Sequence, residues 1–298
     1  MERQIGGVGL RVSYIGSKGS NLNYFTNTDM PMPSSIPFST SRMPYPQFVS
    51  TSYQRNNGSS EYNALGIEAK RRVGQLTFDW NWTWASNLDT MENLQNPYVP
   101  LQWSHDSLTP HHMVVLNTMW QIPVGKGRHF GSELRGAVNQ VIGGWDLYWI
   151  SYFQTGAWFS PAFSGSDPSN TNTYSSIPDR ICNGNYPAGD RSINGWFNTS
   201  CFAVPPNGRF GNSALNSLEG PGLNNQSMSL TKTSRVSERW HVEFSAMISN
   251  VFNHPNFMNP AFNDVTVPGA GVLNSTPDYY SAVKSGPRLV EGRLRVLW

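Results

Sequence analysis

Charged residues are scarce in this sequence. Asp, Glu, Lys and Arg together make up 13% of its 298 residues, about half of the share found in an ordinary soluble domain. Aromatic residues also make up 13%, and 11 residues are tryptophan. A composition poor in charge and rich in aromatic rings is typical of a protein whose surface meets something other than bulk water.

Long hydrophobic runs are missing as well. The most apolar stretch, residues 141–153, is interrupted by Gly143, Gly144, Asp146 and Ser151, so it falls short of the roughly 20 apolar residues of a membrane-spanning helix. Mean hydropathy is −0.43. Many aromatic residues with low mean hydropathy favour a membrane β-barrel, whose strands need only alternate apolar and polar side chains over about 10 positions.

An excess of one charge sign is also absent. The 21 Lys and Arg residues nearly balance the 19 Asp and Glu residues, for a net charge of +2. The charge balance therefore gives no indication of a nucleic-acid partner or of an acidic ligand.

The strongest periodic pattern lies in residues 77–86. Phe78, Trp80, Trp82 and Trp84 occupy alternate positions, and the positions between them are polar. In a strand, alternate side chains point to the same face. A soluble sandwich with these rings in its core would give the same pattern, but four large rings in a row fit a lipid-facing surface better.

Seven further segments show strand patterns. Val242, Phe244 and Ile248 alternate with polar residues late in the chain, and we expect them to face lipid too. About eight strands are predicted in all, and we expect them to form an almost wholly antiparallel sheet. The predicted strands are residues 7–15, 62–71, 77–86, 112–122, 144–155, 227–236, 239–252 and 288–298.

Connections alternate between short and long. The turns after Arg71 and Val236 take a few residues, and the one that begins at Pro123 is intermediate. The other four connections, 16–61, 87–110, 156–226 and 253–286, are long and rich in Pro, Gly, Asn and Ser. A transmembrane barrel with short periplasmic turns and long outer loops has this alternation, so the predicted fold is an all-β, antiparallel transmembrane barrel segment.

The last strand ends in an aromatic residue. Val290, Leu294, Val296 and Trp298 share one face, a pattern that resembles the C-terminal signal read by the barrel assembly machinery, although Phe is the usual last residue there. The alternative is an accidental aromatic end in an aromatic-rich chain.

Two cysteines, Cys182 and Cys201, lie in the longest connection. On the oxidising side of a membrane they can close a loop of about 20 residues. The sequence leaves open whether they are bridged.

Several motifs resemble the large barrels of TonB-dependent transporters of the Oar-like family. The longest is Asn250-Val251-Phe252-Asn253-His254-Pro255-Asn256-Phe257, and the motifs follow the family's order from about Val12 to Trp298. The others are residues 61–65, 82–86, 122–127, 143–145, 154–156, 196–198, 210–212 and 220–222.

The resemblance implies a barrel of about 22 strands that carries a bulky ligand, carbohydrate or peptide, across the outer membrane. Residues 1–298 would be its C-terminal portion, without a plug domain or signal peptide, so contact with the TonB system would need missing N-terminal parts. We therefore expect an open curved sheet in which the strand at Gly7–Ile15 and the last strand are unpaired edges.

Catalytic, cofactor and metal sites are not predicted, and we do not expect an enzyme. His105, Asp106 and Ser107 are sequence neighbours that an extended chain points to opposite faces, whereas a triad must converge. His111 and His112 diverge in the same way. Two functions remain: an outer-membrane transporter with a lipid-facing wall and ligand-binding outer loops, or a secreted or surface-displayed β-rich module for carbohydrate binding or adhesion.

Overall fold

The chain is dominated by one antiparallel sheet. The computed structural model describes residues 2–48, 50–91, 95–280 and 283–298. Nine strands pair in chain order, and a two-residue strand, Ser104–His105, pairs with the end of the fourth. They are β1 (Glu2–Ile5), β2 (Val8–Asn27), β3 (Ser52–Arg71), β4 (Leu76–Asp89), β5 (His112–Gln121), β6 (Trp145–Gln154), β7 (Leu223–Arg235), β8 (His241–Ser249) and β9 (Leu289–Leu297).

The eight predicted strands correspond to β2 to β9, and the all-β antiparallel class is confirmed. The connection predicted at 16–61 is wrong in extent, because β2 and β3 continue as a paired ladder to Asn27 and Ser52. Their outer halves carry polar residues on both faces, with an ion pair between Lys18 and Glu61 at 3.7 Å. A hairpin that rises into water needs no apolar alternation, so the sequence pattern missed it.

The sheet is open between its two outermost strands. The part of the chain that the structure describes contains no ladder between β9 and β1 or β2. The expectation that Gly7–Ile15 is an unpaired edge is wrong, because Glu2–Ile5 folds back and pairs with Val8–Arg11. The hairpin turn is Gly6–Gly7, where both φ angles are positive, at 55° and 80°, as a type I′ turn requires.

Short elements decorate the connections. A seven-residue helix, α1 (Gly136–Ile142), lies between β5 and β6, and two 3₁₀ turns cover Thr40–Arg42 and Thr199–Cys201. No helix in the described ranges is both long and apolar enough to cross a membrane. Four pairs of two-residue strands complete the loops: Trp158–Phe159 with Leu218–Glu219, Phe163–Ser164 with Ser175–Ser176, Asp179–Arg180 with Phe202–Ala203, and Tyr279–Tyr280 with Val283–Lys284.

A packed cluster of buried hydrophobic residues lies in the loops and not on the sheet. The cluster comes from the connection between β6 and β7, and the partly buried Trp196 and Val265 pack against it. The buried residues are Phe159, Phe197, Cys201, Phe202 and Leu218. The aromatic rings of β4, by contrast, are only partly buried, so they are not enclosed between two sheets.

Candidate functional site

The four aromatic residues of β4 share one face of the sheet with apolar neighbours. Trp82 lies opposite Ile67 on β3 and Val114 on β5. Trp80 lies opposite Ala69 and Leu116. Phe78 and Trp84 fall on the same side because side chains alternate along a strand. We call this side the apolar face.

The ladder extends the apolar face to the last strand. Leu116 lies opposite Ser151, and Leu147, four residues from Ser151 on the same side of β6, lies opposite Leu230 on β7. Residues predicted separately on β8 and β9 then pair with one another along the same side. These pairs are Val242 with Val296, Phe244 with Leu294, and Ile248 with Val290.

The other side, which we call the polar face, carries ion pairs. Lys70 contacts both Glu68 and Asp79, and its Nζ lies 3.3 Å from the Asp79 carboxylate. Arg11 lies 3.6 Å from Glu68. A similar pair joins Arg295 on β9 to Glu243 on β8 at 3.7 Å. Charged side chains of the strands on both sides of the sheet therefore gather on the face opposite the aromatic rings.

Trp298 follows β9 at the end that holds the short turns. Its ring is 86% exposed and contacts the ring of Trp240, with 6.0 Å between centroids. The other residues of the predicted assembly signal, Val290, Leu294 and Val296, are exposed on the apolar face of this edge strand.

Cys182 and Cys201 form a disulfide in the loop between β6 and β7. The sulfur atoms are 2.00 Å apart, and Cys201 is 1% exposed within the loop core. The bridge thus fastens the segment 183–200 to packed aromatic side chains. It makes the loop assembly a constrained platform at the end of the sheet opposite the short turns.

The motif at residues 250–257 ties this platform to the sheet. Asn250, with a positive φ of 49°, uses its side-chain amide to donate to the carbonyls of His254 and Gly286, each at 2.9 Å. Asn256 is 1% exposed, and its side-chain oxygen accepts from the backbone N–H of Asn224 on β7 at 2.9 Å. The asparagines of the motif therefore join the two ends of the last loop to each other and to β7.

A histidine pair meets a tryptophan beneath the loops. The rings of His105 and Trp158 stack with centroids 4.1 Å apart, and His111 approaches the same indole at 5.1 Å. Burial lowers the pKa of both histidines, with the neighbouring His111 adding to the effect on His105. His112 points elsewhere and stacks on Trp82 at 5.8 Å. The sequence spacing did not predict the contact between His105 and His111, because that contact depends on how the loop between them folds back.

A cleft of about 450 Å³ opens among the loops. Tyr98, Gln102 and Arg209 line it, together with Phe210 and Asn212. Arg209 is held in place by a two-pronged hydrogen bond to the carboxylate of Asp179, at 2.7 and 2.5 Å. An aromatic ring beside amide and guanidinium donors suits a polar ligand with hydroxyl or carbonyl groups.

The comparisons with known proteins address the whole chain. A family model described as an outer membrane beta barrel domain matches residues 1–287, and no curated protein matches. Among solved structures, the outer membrane transporter YddB from Escherichia coli is similar at a TM-score of 0.49 and 9% identity. That match covers 99% of this chain and 31% of the transporter, so the chain spans less than one third of its length. Because the family model spans nearly the whole chain, the protein belongs to the outer membrane β-barrel domain family and is a protein of the outer membrane.

Proposed function

We propose that this chain forms part of the wall of a TonB-dependent transporter, with its apolar face against lipid and its loop platform in contact with a bulky ligand outside the cell. One observation carries the proposal: the inter-strand register places the apolar side chains of β4 and β5 on the same face as those of β8 and β9, through β6 and β7. A wall that meets hydrocarbon on one side needs such a face, and strands that were only locally amphipathic would not produce it.

The Oar-like resemblance supports the TonB-dependent subtype, and the cleft beside Tyr98 and Arg209 supports binding of a carbohydrate or peptide. A secreted binding module fits less well, because the family is one of outer-membrane proteins.

Two substitutions on β5 test the lipid-facing assignment. Leu116 lies on the apolar face, and its neighbour Asn117 lies on the polar face opposite Asp79. We expect Leu116→Arg to destabilise the protein in phospholipid vesicles by roughly 2–4 kcal/mol, since an arginine at the middle of the hydrocarbon loses its hydration. Asn117→Arg should change little. Denaturant titration in vesicles measures both, and equal effects would contradict the assignment.

Energy coupling needs a separate experiment with a longer protein that contains this chain and a plug. Cells expressing it are offered a fluorescent dextran oligosaccharide and, separately, a fluorescent oligopeptide. We expect one of the two to accumulate in the periplasm, and deletion of the TonB gene to abolish the accumulation. Accumulation that persists at full level without TonB would overturn the TonB-dependent subtype and leave the lipid-facing assignment intact.

A further inference from the structure

The connection between β5 and β6 is much longer than the turns between β3 and β4 and between β7 and β8, which lie at the same end of the sheet. It holds α1 and a compact loop in which Val124 forms a bridge with Phe130, and Gly125 donates to the Phe130 carbonyl at 2.9 Å. The turns between β3 and β4 and between β7 and β8 need only a few residues. This connection therefore contains much more chain than a hairpin requires.

Two side chains of the apolar face hold the end of α1. Trp145 on β6 and Lys232 on β7 are register partners on that face. The indole N–H of Trp145 donates to the carbonyl of Val141 at 2.9 Å, and the Lys232 ammonium donates to the carbonyl of Gly143. The C-terminal end of α1 is thus on the apolar side of the sheet, not under its polar side.

The helix presents an uncovered apolar stripe. Val138, Val141 and Ile142 are 51%, 68% and 49% exposed. Their spacing of i, i+3 and i+4 puts them on one side of the helix. No residue of α1 is buried. The helix is therefore amphipathic, and its apolar side continues the apolar face beyond the end of the strands.

Cationic groups accompany the stripe. Lys232 is only 9% exposed, although it lies on the apolar face, and its ammonium sits 5.4 Å from the centre of the Trp145 ring. The Lys232 ammonium therefore lies at the end of α1 and not in the middle of the apolar face. The connection itself carries Lys126, Arg128 and Arg135 against one acidic residue, Glu133. This balance is complementary to phosphate headgroups.

We propose that α1 is an interfacial foot, which lies on the phospholipid leaflet at the short-turn end of the sheet with Val138, Val141 and Ile142 inserted among the headgroups. The partner is the lipid surface itself, because the stripe is continuous with the apolar face. The inference rests on the proposed function, in which that face meets lipid. An amphipathic helix of this kind buries its apolar side about 5–10 Å into the boundary between headgroups and acyl chains.

The experiment measures depth with one environment-sensitive fluorophore at a time. Single cysteines replace Val141 on α1, Glu133 as a matched exposed position in the same connection, and Leu116 on the apolar face. The native disulfide leaves no competing thiol. The full chain is placed in phosphatidylethanolamine–phosphatidylglycerol nanodiscs that carry a nitroxide either near the headgroup or deep in the acyl chain.

We expect the headgroup nitroxide to quench the Val141 label more strongly than the Glu133 label, by a factor on the order of two. The deep nitroxide should quench the Leu116 label. Equal quenching at Val141 and Glu133, with Leu116 still quenched, would overturn the foot. Loss of quenching at Leu116 would instead overturn the proposed lipid-facing wall, so the two failures are distinguishable.

A charge substitution provides an independent test. The paired variant Val141→Asp with Ile142→Asp should bring quenching at a Val138→Cys label down to the level seen at Glu133, whereas Val141→Ala with Ile142→Ala should retain part of it. Circular dichroism checks that the sheet is intact in both. Unchanged quenching in the aspartate variant would also overturn the proposal, because apolar insertion would then play no part.

Discussion

Single side chains decide how the largest loop is held together. The bridge between Cys182 and Cys201 closes a loop over a sequence separation of 19, and Cys201 is packed in the loop core. In the chain-entropy model, such a crosslink stabilises the closed loop by about 3 kcal/mol. The largest effect is therefore expected on local opening of the platform, since the sheet has its own ladder.

Removal of the bridge tests this expectation. The double variant Cys182→Ser with Cys201→Ser should be cleaved by thermolysin within residues 183–200 much faster than the parent protein, because the segment opens more often. Ser192→Ala, which lies inside the enclosed segment but leaves both cysteines in place, should be cleaved at the parent rate. Equal cleavage of the double variant and the parent would show that packing alone closes the loop.

The histidines beneath the loops should make loop stability depend on pH. Burial lowers the pKa of His105 and His111 in the folded protein, whereas the unfolded chain titrates near the ordinary value of about 6.5. The unfolded state then binds more protons in the window between these values. Loop stability is therefore complete above pH of about 6.5 and falls as the pH drops toward the lowered pKa values.

Hydrogen exchange at the amides around Trp158, measured as a function of pH and corrected for intrinsic rates, checks this. The expected result is loss of protection on acidification. The variant His105→Phe with His111→Phe keeps two rings against Trp158 but cannot titrate, so its protection should be independent of pH in the same window. The nearby Glu219 opposes the shift at His111. A parent protein with flat protection would contradict the argument.

At the scale of elements, the last strand joins an apolar edge to an exposed aromatic end. β9 pairs only with β8 in the described ranges, and Trp298 extends beyond it with 86% of its surface exposed. An exposed edge with alternating apolar residues offers a partner both backbone hydrogen bonds and side-chain contacts. We expect the barrel assembly machinery to use this edge and its terminal ring.

Substitution of the last residue tests the role of the ring. Trp298→Ala should lower the amount of protein assembled in the outer membrane several-fold, while Trp298→Phe should leave it near the parent level because an aromatic end is retained. Leu297→Ala, whose side chain belongs to the opposite face, should have the smaller effect. Quantitative immunoblotting of outer-membrane fractions measures all three, and equal losses for Trp298→Ala and Leu297→Ala would contradict the prediction.

At the scale of the whole molecule, the sheet has two separate edges. β1 occupies one edge and β9 the other. Cysteines at Gln4 and Arg293 should therefore resist oxidative crosslinking when the chain is in vesicles. Ser245→Cys with Arg293→Cys is the matched control, because these residues are register partners on β8 and β9. Efficient crosslinking of the Gln4 pair would show that the sheet closes on itself in the membrane.

The sequence alone predicted eight of the nine strands that pair in chain order, and for β4, β8 and β9 it also predicted which side is apolar. Phe78, Trp80, Trp82 and Trp84 alternate with polar residues, and residues two positions apart in a strand lie on the same face. The same reasoning placed Val242, Phe244 and Ile248 on one side of β8. It missed the outer halves of β2 and β3, where both faces are polar and the pattern carries no signal, and it missed β1, which is set by the Gly6–Gly7 turn.

Only the tertiary structure decided how these parts meet. Register is a relation between strands, so the continuity from Trp82 through Val114 to the last strand needed the ladder itself. The contact of His105 and His111 with Trp158 depends on how a loop folds back, and the bond between the two cysteines depends on the same kind of long-range closure. Helix α1 was overlooked because seven residues give too little periodicity, and its place beside the apolar face is set by Trp145 and Lys232 across two strands.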